Sequence, residues 1–158
     1  MMQRTHGRAP PGVRVVSRVP GGHWTAVSTI AALTSTGITV SASFEGATDT
    51  ETFMVFVERA LVPTLRKGDV VVLDNLSCHK SPRVKQAIEA VGALLVPLPP
   101  YSPDLNPIEM AIAKIKSVMR TLAKRDLDGV FGGLDLALTS IRSSDALGYI
   151  AHCGYPIR

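Results

Sequence analysis

The sequence predicts an α/β fold, on three observations. One N-terminal stretch, Val13 to Val19, alternates apolar with polar residues, which is the period of a strand, and Trp24 to Leu33 is rich in Thr, Val and Ile. A continuous apolar run, Val70-Val71-Val72-Leu73, is bounded by Asp69 and Asp74. Several later segments carry apolar residues three and four apart, which is the period of a helix. With 46% hydrophobic and 19% charged residues over 158 positions, the chain can bury enough apolar surface to fold. No apolar stretch reaches the roughly 18 to 20 residues that a membrane helix needs. The segment Met1–Pro10 has charge but no apolar run behind it, so it is not read as a secretory signal. Two cysteines, Cys78 and Cys153, are too few for a disulfide scaffold, and a reducing, cytoplasmic setting is the expectation.

Taken in order, the first dozen residues are rich in Arg, Pro and Gly and read as an irregular arm. Val13 to Val19 alternates and predicts a short strand, closed by Pro20-Gly21-Gly22. Trp24 to Leu33 and Ile38 to Phe44 predict two strands joined as a hairpin, with Gly37 at the turn and Trp24 in the core. From Thr50 the period lengthens. Phe53, Phe56, Val57, Ala60 and Leu61 share one helical face, with Thr50 or Asp49 as cap and Lys67-Gly68 at the close. The run ending at Leu73 predicts a strand covered on both faces. Ser81-Pro82 opens a helix with Val84, Ala87, Ile88 and Val91 on one side and Gly92 as its stop. Ala93 to Leu98 is a further apolar strand. Strand, helix and strand over some thirty residues make a βαβ unit, whose strands run parallel.

A stiff loop, Pro99-Pro100-Tyr101-Ser102-Pro103-Asp104-Leu105, follows. Asn106-Pro107 then opens a helix whose stripe is Ile108, Ile112, Ile115, Met119 and Leu122. Residues 126–158 predict one more helix, near Leu134 to Ile141, and a weak tail. The division expected is 1–125 for the main body and 126–158 for a helical tail of the same domain.

Charge is uneven. The net charge is +4, and Met1 to Phe44 holds Arg4, Arg8, Arg14 and Arg18 with no acid. A second basic cluster, Lys114, Lys116, Arg120, Lys124 and Arg125, follows Glu109. Such clusters suit phosphate surfaces, although a solvated basic face is equally compatible with them.

Two acids stand out by place. Asp74 ends a strand, at the edge of an open α/β sheet where ligands bind. Glu109 lies in the first turn of a helix after the proline loop. If the long helix packs across the sheet, both carboxylates face one crevice and offer oxygen ligands to divalent cations. Position alone leaves a structural reading open, because strand-end Asp forms turns and Glu at the third helical position completes capping boxes.

The literal residues narrow this. Asp74-Asn75-Leu76-Ser77-Cys78-His79-Lys80 resembles the D-N-x-x-x-H segment of mariner-superfamily transposases. Leu98-Pro99-Pro100-Tyr101-Ser102-Pro103-Asp104-Leu105-Asn106-Pro107-Ile108-Glu109 is similar to the second block of that family. The 34 residues between Asp74 and Glu109 match its bacterial insertion-sequence branch. Arg4-Thr5-His6-Gly7-Arg8, Gly22-His23-Trp24 and Gly154-Tyr155 extend the likeness over almost the whole chain.

The resemblance implies a DDE transposase: a ribonuclease-H-like mixed sheet flanked by helices, which cuts the ends of a DNA element and joins them to target DNA. Three acids and two Mg²⁺ or Mn²⁺ ions serve that chemistry. Asp74 corresponds to the second acid and Glu109 to the third. The first belongs on the first strand, before the segment matching Met2 to Arg8, and nothing upstream of Glu45 is acidic. The expectation is therefore a fold lacking the first central strand and the N-terminal DNA-recognition region, with no strand cleavage on its own. Asp69, Asp104 and Glu45 do not have the place of the missing acid. A non-enzymatic DNA-binding remnant is the alternative. His79 and Lys80 after the strand-end acid, and Lys116 and Arg120 along the helix from Glu109, are the expected DNA-binding residues. The expected partners are DNA and a second copy or a full-length transposase, with no membrane. Cys78-His79 and His152-Cys153 lack the spacing of a zinc site.

Overall fold

The structure, a computed structural model, describes residues 8–16, 26–124 and 126–157. Strands β1 (Val27–Thr34) and β2 (Gly37–Glu45) form an antiparallel hairpin. Helix α1 (Thr50–Phe56) follows and runs on through a π turn, Val57–Leu61, and a 3₁₀ turn, Val62–Thr64. Strand β3 (Val70–Leu73), helix α2 (Pro82–Ala90) and strand β4 (Leu94–Pro97) make the βαβ unit, with β3 and β4 parallel. Three helices complete the chain: α3 (Pro107–Leu122), α4 (Leu127–Thr139) and α5 (Ser143–His152).

Local chemistry accounts for these boundaries. Asp49, not Thr50, caps α1, its Oδ1 accepting the Thr52 N–H at 2.7 Å. The helical path ends at Thr64 because Leu65 turns extended, so Lys67-Gly68 belongs to the following turn. Asp126 caps α4 by accepting the Gly129 N–H at 2.8 Å. Two helices, rather than one helix and a weak tail, therefore occupy the C-terminal stretch. Asp145 starts the second by accepting the Arg142 N–H at 2.9 Å.

The hairpin is apolar on both faces. Ile30, Ala32, Val40 and Ala42 pack on a core of Phe53, Phe56, Val57, Val84 and Ile88. Val27, Ala31, Leu33 and Ile38 pack on a second core of Ala111, Ile115, Met119, Leu134 and Leu138. Ile38 and Val40 have the same parity yet face opposite ways. The pairing steps from Ala32–Val40 to Leu33–Ile38, so Thr39 is an extra residue that turns the strand over.

Three further sequence expectations are corrected. Val13 to Val16 forms no strand: the Val13 N–H closes a turn onto the Pro10 carbonyl, and Val13, Val15 and Val16 are exposed. The rest of that expected strand, the Pro20-Gly21-Gly22 turn and Trp24 lie outside the described residues, as do Arg4, Arg18 and Arg125. β3 is not covered on both faces. Among the described residues it pairs with β4 alone, and Val70 is 57% exposed. The buried stripe of α3 is Ala111, Ile115 and Met119, with Ile108, Ile112 and Leu122 at its margin, because α4 and α5 pack on the side of Ala111. The hairpin and the parallel pair both rest on the helical segment 50–64 but form two separate two-stranded sheets. Among the described residues no strand joins them.

Two outcomes follow. Gly37 turns the hairpin with φ +120°, and a Cβ there would stand 2.6 Å from the Ile141 carbonyl oxygen. Gly37→Ala should lower stability by at least about 1 kcal/mol, read as a lower urea midpoint at unchanged slope. Lys114 Nζ donates to Asp145 Oδ2 at 2.7 Å and, with the Arg142 N–H, holds that carboxyl below the usual carboxylate range. A lowered folded-state value stabilises the fold above the unfolded value of about 3.9, and the effect is lost as pH falls through the folded value. Asp145→Asn should flatten that part of the acid limb of a melting-temperature profile, and an unchanged limb would count against the pair.

Candidate active site

Parallel pairing places the C-terminal ends of β3 and β4 at one edge. The last pair of the ladder is Leu73 with Pro97, and the Leu98 N–H closes it onto the Leu73 carbonyl at 2.8 Å. The two segments leaving that edge carry the candidate residues. Asp74 follows β3 directly. The proline loop 98–106 follows β4 and delivers Glu109 in the first turn of α3. Asp74, Lys80 and Glu109, with Asn75, Tyr101 and Asn106, line one cleft of about 500 Å³. The expected shared crevice is thus present.

Asp74 is held from one side. Its Oδ1 accepts the Leu76 N–H at 3.2 Å and lies 2.6 Å from His79 Nδ1. These two contacts fall on the same oxygen, which leaves Oδ2 without a hydrogen-bond partner among the described residues. The His79 contact is close but not aligned as a hydrogen bond, so this buried ring nitrogen has no aligned partner. The imidazole is wedged by Phe53, with ring centroids 4.2 Å apart and planes at 40°. Phe53 is itself a core residue of α1, so the first core reaches the acid through one histidine. Cys78 sits in the same 3₁₀ turn, and burial, with a contribution from the Asp74 charge, pushes its thiol up and away from thiolate chemistry.

Residues 1–128 match the DDE superfamily endonuclease family. The chain belongs to that family. Its fold resembles solved structures of the mariner transposase Mos1. The paired end complex with Mn aligns over 96% of this chain and 47% of that one, at 14% identity and a TM-score of 0.70. The strand transfer complex aligns over the same shares at 18% identity and a TM-score of 0.68. The Mos1 catalytic domain with raltegravir and Mg aligns over 75% of this chain and 65% of that one, at 18% identity and a TM-score of 0.57. The likeness supports a ribonuclease-H-like mixed α/β fold, and the chain spans about half the length of the first two Mos1 chains. No protein of curated function matches it.

Within this DDE domain the expected residues separate into groups. Asp74, Glu109 and Lys80 meet at the cleft, and His79 stands behind Asp74. Lys116 and Arg120 are exposed on α3, about 10 and 16 Å along the helix from Glu109, and do not line the cleft. Lys114 of the same basic cluster is engaged with Asp145. Asp69 is at the other end of β3, accepting the Arg66 N–H at 2.7 Å. Asp104 lies in a 3₁₀ turn of the loop, and Glu45 ends β2 opposite Val27. Asn106 opens α3 without a side-chain cap bond, so Glu109 has no capping box to complete and its carboxylate is free for the cleft. Among the described residues no three His, Cys, Asp or Glu side chains gather as a metal centre.

Sequence reasoning gave no role to Tyr155 beyond the likeness at Gly154-Tyr155. Its hydroxyl donates to the Leu105 carbonyl at 2.8 Å and ties the chain's last turn to the loop that positions Glu109. Tyr155→Phe should cost about 1 kcal/mol and speed amide exchange in residues 98–106. Equal exchange in both proteins would show that the loop holds itself.

Proposed function

We propose that this chain is the catalytic portion of an insertion-sequence DDE transposase. Its Asp74 and Glu109 hold Mg²⁺ or Mn²⁺ against a DNA phosphodiester. The observation that carries the reading is the meeting of these two carboxylates in one cleft, at the C-terminal edge of a parallel strand pair. Carboxylate oxygens are the donors hard divalent cations take, and among the described residues only Oδ1 of Asp74 is engaged. When bound, such ions activate water and stabilise charge on the attacked phosphate. The chain's own residues do the rest. The proline loop holds the Glu109 end of α3 across from Asp74, and Lys80 offers a cation to a phosphate entering the cleft. Lys116 and Arg120 extend a positive track along α3 for the DNA that runs out of it.

The reaction is water attack at the end of the element, followed by attack of the freed 3′ hydroxyl on target DNA. The partners are those DNA segments and, in the assembly, a second copy or a full-length transposase. Two carboxylates are fewer than the chemistry uses, so residues 1–158 alone should not cut. The absence of a third ligand among the described residues also favours a second reading, a DNA-binding remnant that acts on an intact transposase.

Mn²⁺ binding followed by electron paramagnetic resonance separates the two. Weak binding that drops in both Asp74→Asn and Glu109→Gln is the result expected of the catalytic reading, and binding indifferent to both substitutions overturns it. Duplex DNA should bind with steep salt dependence, and the double change Lys116→Ala, Arg120→Ala should reduce the log–log slope by about 2. An unchanged slope removes these two residues from the DNA track.

A further inference from the structure

Tyr101 is out of keeping with its surroundings. Its backbone is left-handed, at φ +55°, a region that glycine or asparagine enters easily and tyrosine does not. Its side chain is fully exposed, at 102% of the reference area, so the fold recovers no packing from the ring. The loop around it is stiff. Pro99, Pro100 and Pro103 have fixed φ, and Ser102 Oγ donates to the Pro100 carbonyl at 3.3 Å. The Leu105 and Asn106 N–H groups bond to the Ser102 and Pro103 carbonyls at 3.2 and 3.1 Å. A strained aromatic residue is thus held rigidly outward, on the wall of the cleft that also holds Lys80, Asp74 and Glu109.

We infer that Tyr101 is a stacking platform for one unpaired base next to the phosphate in the cleft. The inference rests on the DNA reading above and adds to it the form of DNA the cleft takes. A ring with no partner in its own fold matches a flat apolar surface, and the adjacent lysine matches an anion on the same ligand. A nucleotide carries both. Paired bases inside a duplex cover their faces with one another, so only an unpaired or splayed base can lie on a protein ring. The cleft therefore prefers DNA whose strands are open at the phosphate to continuous duplex.

The test compares fluorescein-labelled duplexes of one sequence, blunt or with a three-nucleotide single-stranded overhang, by anisotropy with the whole chain. Tyr101→Phe keeps the ring. Tyr101→Gly removes it and relaxes the backbone, so its melting temperature should not fall and misfolding is not the cause of any loss. Wild type and Tyr101→Phe should favour the overhang about tenfold, as one base stack provides. Tyr101→Gly should bind both duplexes alike, the overhang having lost its advantage. A 2-aminopurine in the overhang should be quenched by wild type and not by Tyr101→Gly. Wild type binding both duplexes equally, or Tyr101→Gly keeping the preference and the quenching, overturns the stacking role and leaves the DNA reading in place. No binding of either duplex at low salt overturns the DNA reading and this inference with it.

Discussion

The parallel pairing of β3 with β4 is the constraint on which the site depends. Because the strands run the same way, the segments that leave them emerge at one edge, and α2 is the crossover that makes this geometry possible. Four residue pairs form the ladder, the last of them Leu73 with Pro97. Everything chemical lies just beyond that point. Asp74 is the next residue on one side, and the loop to Glu109 starts on the other. A longer ladder would carry Asp74 into the sheet, and an antiparallel one would send the two acids to opposite ends.

Support for the cleft comes from two cores that do not merge. The first, around Phe53, Val84 and Ile88, lies beneath the βαβ unit and reaches Asp74 through the ring of His79. The second, around Ala111, Ile115 and Leu138, holds the helix that bears Glu109. Each acid is thus positioned by a different core. The hairpin packs against both, and the extra residue at Thr39 lets one short strand send Ile38 to one core and Val40 to the other. Tyr155 adds a lateral tie across the Glu109 side.

Much of this was legible in the residues. The run Val70–Leu73, the Ser81-Pro82 opening and the Asn106-Pro107 opening are local signals, and each element stands where its signal lies. Asp74 and Glu109 were readable by place because strand ends and helix starts are marked by short-range chemistry. Whatever depends on distant partners was not. Val13 to Val16 has strand alternation but no strand beside it. Val70 belongs to an apolar run but lies exposed, because coverage is decided by neighbours and not by hydropathy. The α3 stripe keeps Ile115 and Met119 but turns toward Ala111, since α4 and α5 pack on that side. Lys114 read as part of a phosphate track, and only the fold brings Asp145, 31 residues away, to its ammonium. The outward ring of Tyr101 follows from a backbone angle that no pattern of residue types encodes.

The helical segment 50–64 touches both two-stranded sheets, and this shapes how the molecule assembles. The hairpin closes over the two residues Ser35-Thr36, and the βαβ unit closes over some twenty residues between its strands. The hairpin is a short-range closure, fast and entropically cheap, whereas the parallel pair forms only across its crossover and is the slower of the two. Neither sheet hydrogen-bonds to the other among the described residues, and they meet on the Phe53 face of that segment like two plates on a hinge pin. Among the described residues, cooperativity between the two sheets passes through side-chain packing and not through a shared ladder. Loosening Phe53 or Val57 would uncouple them while leaving each one's backbone bonds intact.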